Sequence, residues 1–488
     1  MNDTFLSWVF FVGYCSTIAG IAFYNSRKAK TLQSFSIGTR NVNPFFIGLS
    51  LAANMTSAAT FVINPGLVYA YGLAGFVGYA LATPLGITIG LIVLSKSFRT
   101  IGDQFSVITV PNWIGSRFAD KRFTIYLSIV SLLQITFLVL ITVGLAVVLS
   151  NVLQIGVIVS LLIVILFTFT YIIFGGASAH VWTNTIQAII MIIVAFILLG
   201  SGLSLFSDGI GVFFDRLNAV GPHYGSITNP DSKLFRDFFE TVICNFIIGI
   251  AIITQPHIIS KSLFLRTEKD VNRYLTTAII VESLFFALLF VGLYARLLLD
   301  GAPLPVDRVI STYIVEMFSP TMRSVIMLGV LAAGFSTMEG ILLSLSTIFS
   351  NDFVNNVFPV PVLPAEGEKH RLLKISKIFL AILAPVTFVL SYDQILHPSI
   401  SVALFAQNGV YGLFSATFIP VLLGIFVKKV NKNVVFIASL TALAVHFGMF
   451  YGEITMYYNN PAVTAACALF ASTIVAAAGM IFTKNSDA

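Results

Sequence analysis

Thirteen stretches of about 20 predominantly apolar residues, each long enough to cross a bilayer, divide this 488-residue chain. They lie near residues 5–25, 45–70, 73–98, 123–150, 155–174, 183–206, 238–263, 274–299, 322–350, 375–391, 400–427, 433–451 and 461–483. Hydrocarbon offers no partner to a free backbone N–H or C=O, so only helices and closed barrels span it, and stretches of this length read as helices. The expected fold class is an all-α polytopic membrane protein. Composition agrees, with 57% apolar residues, 10% charged residues and a mean hydropathy of +0.94.

Charge sets the orientation. Of the 27 Lys and Arg, 21 fall between spans on one side, while Arg216, Lys233, Arg236, Arg296, Arg308 and Arg323 fall on the other. The positive-inside rule then places the N-terminus outside and the C-terminus in the cytoplasm, as an odd number of crossings requires. The net charge of +6 reflects basic loops facing an anionic leaflet and calls for no nucleic-acid partner. The first span lacks a basic segment before it and has Arg27, Lys28 and Lys30 after it, so it reads as a retained helix rather than a cleaved signal.

Several chemistries are excluded. Cys15, Cys244 and Cys467 lie in spans without paired spacing, which indicates neither a disulfide framework nor a metal site. There is no Gly-Lys-Ser/Thr phosphate loop, no His-Glu-x-x-His, no Cys-x-x-Cys and no Gly-x-Ser-x-Gly. The longest loops, near 207–237 and 351–374, are too short for a soluble domain. The chain reads as one membrane domain with no enzyme attached, in which any pumping draws on an ion gradient. His257 and His446 are the histidines expected within the bilayer.

Two spans carry marks of interruption. Residues 50–60, Ser-Leu-Ala-Ala-Asn-Met-Thr-Ser-Ala-Ala-Thr, run on to Asn64-Pro65-Gly66 and are crowded with small, hydroxyl and amide side chains. The span at 238–263 holds Thr254-Gln255-Pro256-His257, and proline removes a donor and clashes with the turn before it. A kinked packing helix accounts for either segment alone. Together they open two successive runs of five spans, the pattern of an inverted-repeat transporter whose broken helices line the binding site.

A third segment, near 329–352, puts Ala333, Ser336, Thr337 and Gly340 on one helical face. Such a stripe serves close helix packing, or its hydroxyls serve a hard cation together with carbonyls freed from a broken helix. Glu339 is an acid within the same apolar span and therefore a functional candidate, hydrogen-bonded to a neighbouring helix or placed on an ion path.

At these residues the chain resembles the sodium/solute symporter family, which includes the sodium-coupled sugar, proline, pantothenate and sialic acid transporters. The resemblance rests on Ser50-Leu-x-Ala-Ala53 through Pro65-Gly66, and on Val110-Pro111-x-x-Ile-x-x-Arg117-Phe118. It extends through Gly175-Gly176, Trp182-Thr183-x-x-x-Gln187, Gln255-Pro256-His257-Ile258 and Ala332-Ala333-Gly-x-Ser336-Thr337. It implies a leucine-transporter-type core of two inverted five-helix repeats, at 41–207 and 236–430, with one helix before (1–40) and two after (431–488). It also implies a sodium position formed by the carbonyls of Ala53, Thr56 and Ala333 and the hydroxyls of Ser336 and Thr337. Residence in the inner (plasma) membrane, with sodium, a small solute and lipid as partners and no obligate protein partner, follows from the same likeness.

Departures from the family pattern narrow the reading. Asn184 stands where many members have an Asp that helps to form a second sodium site, which disfavours a second sodium there. Glu339 is expected to replace that charge, one turn inward of Ser336, on the ion exit path. Ile248, Ile252 and Met55 stand where proline and sugar carriers have polar or aromatic groups, and unpaired buried groups cost about 1–3 kcal/mol. Proline and hexoses are disfavoured. The polar residues left for a substrate are Asn54, Thr60, Asn245, Thr254, Gln255 and Gln407, with Asn64 and Asn408 nearby. No unpaired Lys or Arg is expected at mid-membrane, so a carboxylate would rest on a half-helix N-terminus. The expected activity is sodium-coupled import of a monocarboxylate, pantothenate or an amino acid; a proton-coupled carrier, a uniporter or a transporter-like sensor are the alternatives. The sensor is disfavoured because the sequence stops at Ala488, soon after the last span.

Overall fold

The computed structural model describes residues 3–26, 30–38, 40–299, 304–358, 365–397, 402–458 and 460–486. Arg27 and Lys28 of the basic cluster lie outside the described residues. Among those described there is no β-strand. The membrane-scale helices, in chain order, are α1 (Thr4–Ser26), the bent pair α2 (Pro44–Met55) and α3 (Ala59–Tyr71), α4 (Leu73–Gln104), α5 (Lys121–Leu153) and α6 (Val157–Gly200). They continue with the bent pair α7 (Phe239–Ile252) and α8 (Pro256–Phe264), then α9 (Asp270–Leu298), α10 (Pro320–Val357), α11 (His370–Leu396), α12 (Val402–Phe426), α13 (Lys432–Tyr451) and α14 (Pro461–Phe482).

The interruptions fall where the sequence places them. The first pair bends by 58° and the second by 56°. Asn43 caps α2 by accepting from the Phe45 N–H at 3.0 Å, and the helix stops where Thr56 turns extended at φ −98°, ψ 95°. In the second pair Gln255 is extended and Pro256 takes the first position of α8, where its missing N–H is not needed.

Helix α6 holds a third break. Its 44 residues would reach roughly 66 Å as one helix, about twice the hydrocarbon thickness. Gly176, at φ 62°, ψ −169°, divides it, a conformation that glycine adopts without a Cβ penalty.

Helix α10 is the hub, buried along most of its length between α6, α5, α1 and the α2 half-helix. Glycines bring the broken pairs close to their neighbours. A Cβ on Gly86 of α4 would meet the Cα of Gly249 of α7 at 2.9 Å, and one on Gly48 of α2 would meet the Tyr274 carbonyl of α9 at 2.6 Å. Gly292 of α9 sits against Pro65 and Val68 of α3.

Contacts between loops follow the charge grouping read from the sequence. Arg40 pairs with Asp103 at 2.6 Å, Lys96 with Glu268 at 2.9 Å, Arg117 donates to the Gly424 carbonyl at 2.7 Å, and Arg122 donates to Asn433 at 2.8 Å. Lys96 holds the Glu268 carboxyl below its ordinary range. On the sparse side, Arg236 donates to the Met456 carbonyl at 2.6 Å, and Arg296 stacks on Tyr69 and Tyr224. Lys261 departs from the grouping. It belongs to α8 rather than to a loop and is only 2% exposed, its amine covered by α2, where it lies 2.6 Å from the Ser50 hydroxyl.

Candidate transport site

The break after Met55 leaves α2 with carbonyls that no following turn takes up, since the Thr56 N–H bonds to Ala52 and the chain then leaves the helix. Helix α10 supplies the missing donors. Ser336 Oγ lies 2.8 Å from both the Ala53 and the Ala333 carbonyl oxygens, and Thr337 Oγ1 donates to Asn54 O at 3.0 Å and to Ala333 O at 3.3 Å. Two hydroxyls and three carbonyls thus meet in a fully buried spot at the negative end of the α2 dipole. This is a donor set for a hard monovalent cation. Ala53, Ala333, Ser336 and Thr337 come together as expected. The carbonyl that joins them through a hydrogen bond is that of Asn54, not the expected Thr56, and the Thr56 hydroxyl is buried without a partner among the described residues.

Asn54 has a different part from the one expected. Its Nδ2 donates to the His257 carbonyl at 2.9 Å, tying α2 to α8, and Gly340 of α10 lies against its amide. His257 in turn pairs through Nδ1 with Gln134 of α5 at 3.0 Å.

A cavity of about 120 Å³ lies between the two breaks. Ser57, Ala59 and Thr60 line it from the start of α3, and Gln255, His257 and Ile258 from the start of α8, so two half-helix N-termini face it. Gln407 and Tyr79 close one wall with a 3.2 Å hydrogen bond, and the Gln255 Oε1 has no partner among the described residues. Met55, Ile252, Phe137 and Phe286 make much of the remaining wall apolar, and no Asp, Glu, Lys or Arg is among the lining residues.

Of the expected substrate residues, Thr60, Gln255 and Gln407 line this cavity, as does Asn64. Asn245 and Thr254 do not. Asn245 Nδ2 donates back to the carbonyls of Glu240 and Thr241, closing the π-turn at the start of α7. Thr254 bonds to the Ala251 carbonyl and to Thr417 Oγ1 at 2.9 Å. Asn408 donates to Tyr451. Their polarity serves helix contacts, which sequence position could not distinguish from a cavity wall.

Glu339 and Asn184 also separate. Tyr171, Thr183 (2.6 Å) and Gln187 (3.1 Å) donate to the Glu339 carboxylate, and His180 Nδ1 lies 3.0 Å from it. All four come from α6, on both sides of the Gly176 break. Asn184 instead donates to the Ser50 carbonyl at 3.3 Å. Glu339 therefore faces α6 and not the α2 break, and Asn184 is not its partner; the exit-path expectation gives way to an anchor between α10 and α6. His180 is a buried histidine the sequence reading passed over, and Lys261 a buried amine at mid-protein, 2.6 Å from the Ser50 hydroxyl. The buried acid Glu282 of α9 was also passed over, although a glutamate inside an apolar span was signal enough.

Comparison with known proteins follows the same lines as the geometry. The family model for the sodium:solute symporter family matches residues 35–442. The chain belongs to that family. Its relatives include the sodium/pantothenate symporters of Haemophilus influenzae, 25% identical over 437 residues covering 87% of this chain and 86% of that one, and of Escherichia coli, 26% identical over 436 residues covering 86% of each. The high-affinity proline transporter PutP of Bacillus subtilis is 25% identical over 84% of this chain and 85% of its own. Among solved structures, a Na+-coupled sialic acid symporter in a substrate-bound outward-open state superposes with a TM-score of 0.77 at 19% identity, covering 96% of this chain and 97% of that one. An inward-facing structure of Mhp1 gives 0.52 at 16% identity, covering 91% and 92%. These likenesses show the leucine-transporter-type fold. Membership of the family makes this symporter a membrane transporter of the sodium-coupled class and not an enzyme.

Proposed function

We propose that the protein imports a small organic carboxylate or zwitterion together with sodium, by alternating access. The observation that carries the coupling is the meeting of Ser336 and Thr337 with the freed carbonyls of Ala53 and Asn54. Sodium takes several oxygens, and these groups lie where a change in the angle between α2 and α10 would make or break the set. Ala53, Thr56, Ala333, Ser336 and Thr337 are the ligands we assign, with the Asn54 carbonyl added.

Substrate binds in the cavity between the breaks, against Thr60, Gln255 and Gln407. Two half-helix N-termini favour a carboxylate there without a basic side chain. The apolar walls suit a short aliphatic body, and the names of the sodium/pantothenate relatives agree with an acid of that kind. Counting each bent pair as one span and α6 as two gives thirteen crossings, N-terminus outside and C-terminus inside, in the inner (plasma) membrane. The two five-helix repeats run over 41–207 and 236–430.

A thermal-shift screen of pantothenate, short monocarboxylates and amino acids, run in sodium and in choline buffer, tests the reading, since a ligand that binds the native state stabilises it by mass action. Stabilisation by an acid only in sodium, followed by uptake into proteoliposomes that tracks an imposed sodium gradient, is the expected result. Uptake that tracks a proton gradient alone, or needs no gradient, would overturn it.

A further inference from the structure

Lys261 is a buried cation with no carboxylate within ion-pair distance among the described residues. It is 2% exposed, its amine donates to the Ser50 hydroxyl of α2 at 2.6 Å, and the Phe264 ring centroid is 5.7 Å away. An ammonium carries three donors, and Ser50 takes one. The carboxylate whose field reaches this amine is that of Glu339. That group is already taken up by Tyr171, Thr183 and Gln187, with His180 Nδ1 at 3.0 Å. A charge inside a membrane span is costly and marks a substrate or ion pathway by default.

The amine borders a cavity of about 30 Å³, distinct from the one between the breaks. Its walls include Thr109, His180, Ser260, Lys261, Ser344 and Thr347, and no Asp or Glu. The two cavities adjoin along α8 and share His257 as a wall, with Gln255 and Ile258 on the first and Ser260 and Lys261 on the second. The second lies toward the basic loops, since Ile108 and Thr109, which precede the loop helix Val110–Arg117, help to close it. Most of its hydroxyls are spent: Thr109 donates to Asp352, and Ser344 and Thr347 donate to the carbonyls of Ile341 and Leu343. His180 Nε2, by contrast, is buried without a partner among the described residues. With Nδ1 donating to the Glu339 carboxylate, Nε2 is the acceptor of the neutral ring, so it takes an N–H or O–H and leaves an anion to Lys261.

Size and charge choose the occupant. One water-sized centre needs about 10–15 Å³, so the cavity has room for about two, the number of oxygens in a carboxylate. The fixed charge at its wall is positive and no wall carboxylate opposes it, which disfavours a cation. A tie from α8 to α2 through Ser50 would account for the amine but not for the cavity beside it.

We propose that this cavity is an inner subsite for a carboxylate group, held by the Lys261 amine, with His180 Nε2 accepting from an N–H or O–H beside it. The subsite rests on the reading above that the cargo is a carboxylate, and adds the basic side chain that the cavity between the breaks lacks. A cargo leaving that first cavity past His257 meets Lys261 next.

Melting of the purified full-length protein in the sodium salts of formate, chloride and the bulky sulfonate MES, at one sodium concentration and one pH, tests it. Formate should raise the melting temperature above that in MES by a few degrees, in a manner that saturates with concentration. Lys261→Gln should abolish the rise, and Gln255→Ala, in the first cavity, should keep it. No rise in the wild type, or an unchanged rise in Lys261→Gln, overturns the subsite. A rise lost in Gln255→Ala and kept in Lys261→Gln also overturns it, while leaving the carboxylate import reading intact. Conversely, a rise lost only in Lys261→Gln, in a protein that takes up no carboxylate under a sodium gradient, would keep the subsite and remove the import reading. A rise in chloride with none in formate overturns the proposal in favour of an inorganic anion. Should Lys261→Gln fail to fold, Ser344→Leu decides, because it fills the cavity and keeps the amine: loss of the formate response supports the assignment, and an unchanged response overturns it.

Discussion

Thr337 and Asn54, separated by 283 residues, are joined by a 3.0 Å hydrogen bond from the threonine hydroxyl to the asparagine carbonyl. That carbonyl is free because α2 ends one residue later. One backbone break thus does two things: it exposes acceptors at the end of α2 and opens the cavity at the start of α3.

Removing either hydroxyl should raise the sodium concentration needed for uptake. A hydrogen bond or ligand to a charged group contributes about 1.5–3 kcal/mol, so Ser336→Ala and Thr337→Ala are expected to raise half-saturating sodium by roughly tenfold or more. Sodium titrations of proteoliposome uptake provide the check; unchanged dependence in both variants would remove the assignment.

The polar residues should divide into two classes. Thr60→Val, Gln255→Ala and Gln407→Ala should raise KM for substrate with near-normal folded yield. Thr254→Val, which removes the bond to Thr417, should instead lower thermal stability by about 0.6 kcal/mol, and at most about 1.7, the range for interhelical bonds in membranes, and Asn245→Ala, which strips the donor from the π-turn of α7, should likewise lower stability rather than raise KM. Measuring yield, melting and KM together on all five separates wall from scaffold.

Glu339→Gln should cost stability before it costs coupling. Its carboxylate accepts from Tyr171, Thr183 and Gln187, and an amide removes the charge and one of the two acceptor oxygens, so hydrogen bonds to a charged group worth about 1.5–3 kcal/mol are weakened or re-formed with neutral partners. Adding Asn184→Asp should not restore it, because Asn184 bonds to Ser50. A normally stable Glu339→Gln with slow sodium release would revive the exit-path role.

Acid should weaken the start of α5 at Asp120. This residue caps Lys121–Val130 by accepting from the Arg122 N–H at 3.0 Å, and its bonds to the Arg122 side chain hold its carboxyl below the ordinary value. With the folded value depressed, its contribution is complete above the ordinary value near 3.8 and fades as pH falls through the lower, folded one. Asp120→Ala should cost about 0.5–2 kcal/mol at neutral pH, the range for a lost cap. The difference from wild type in melting temperature should narrow in strong acid.

Much of this was legible in the sequence because membrane helices announce themselves by length, and because a helix meant to break needs residues that break it. Pro256 and the Ser57–Thr60 run gave both interruptions, and the spacing of Ser336 and Thr337 gave the hydroxyl pair. What failed was partner choice. Whether Asn245 faces a cavity or its own backbone, and whether Glu339 turns to α2 or α6, depends on helix rotation, which an almost uniformly apolar segment does not encode by periodicity. Lys261 was misplaced for a related reason: a charge near a span's end reads as loop unless the helix that covers it, here α2 at Ser50, is known.

The glycine contacts at Gly48 and Gly292 bear on how such a machine moves. They pin α9 to the half-helix on each side of the break, leaving no slack for sliding along that seam. The bent pair and α9 therefore hold together as one packed unit, whose further neighbours across α2 are α6 and α10. A cation gripped between this unit and α10 would sense any change in the angle between them.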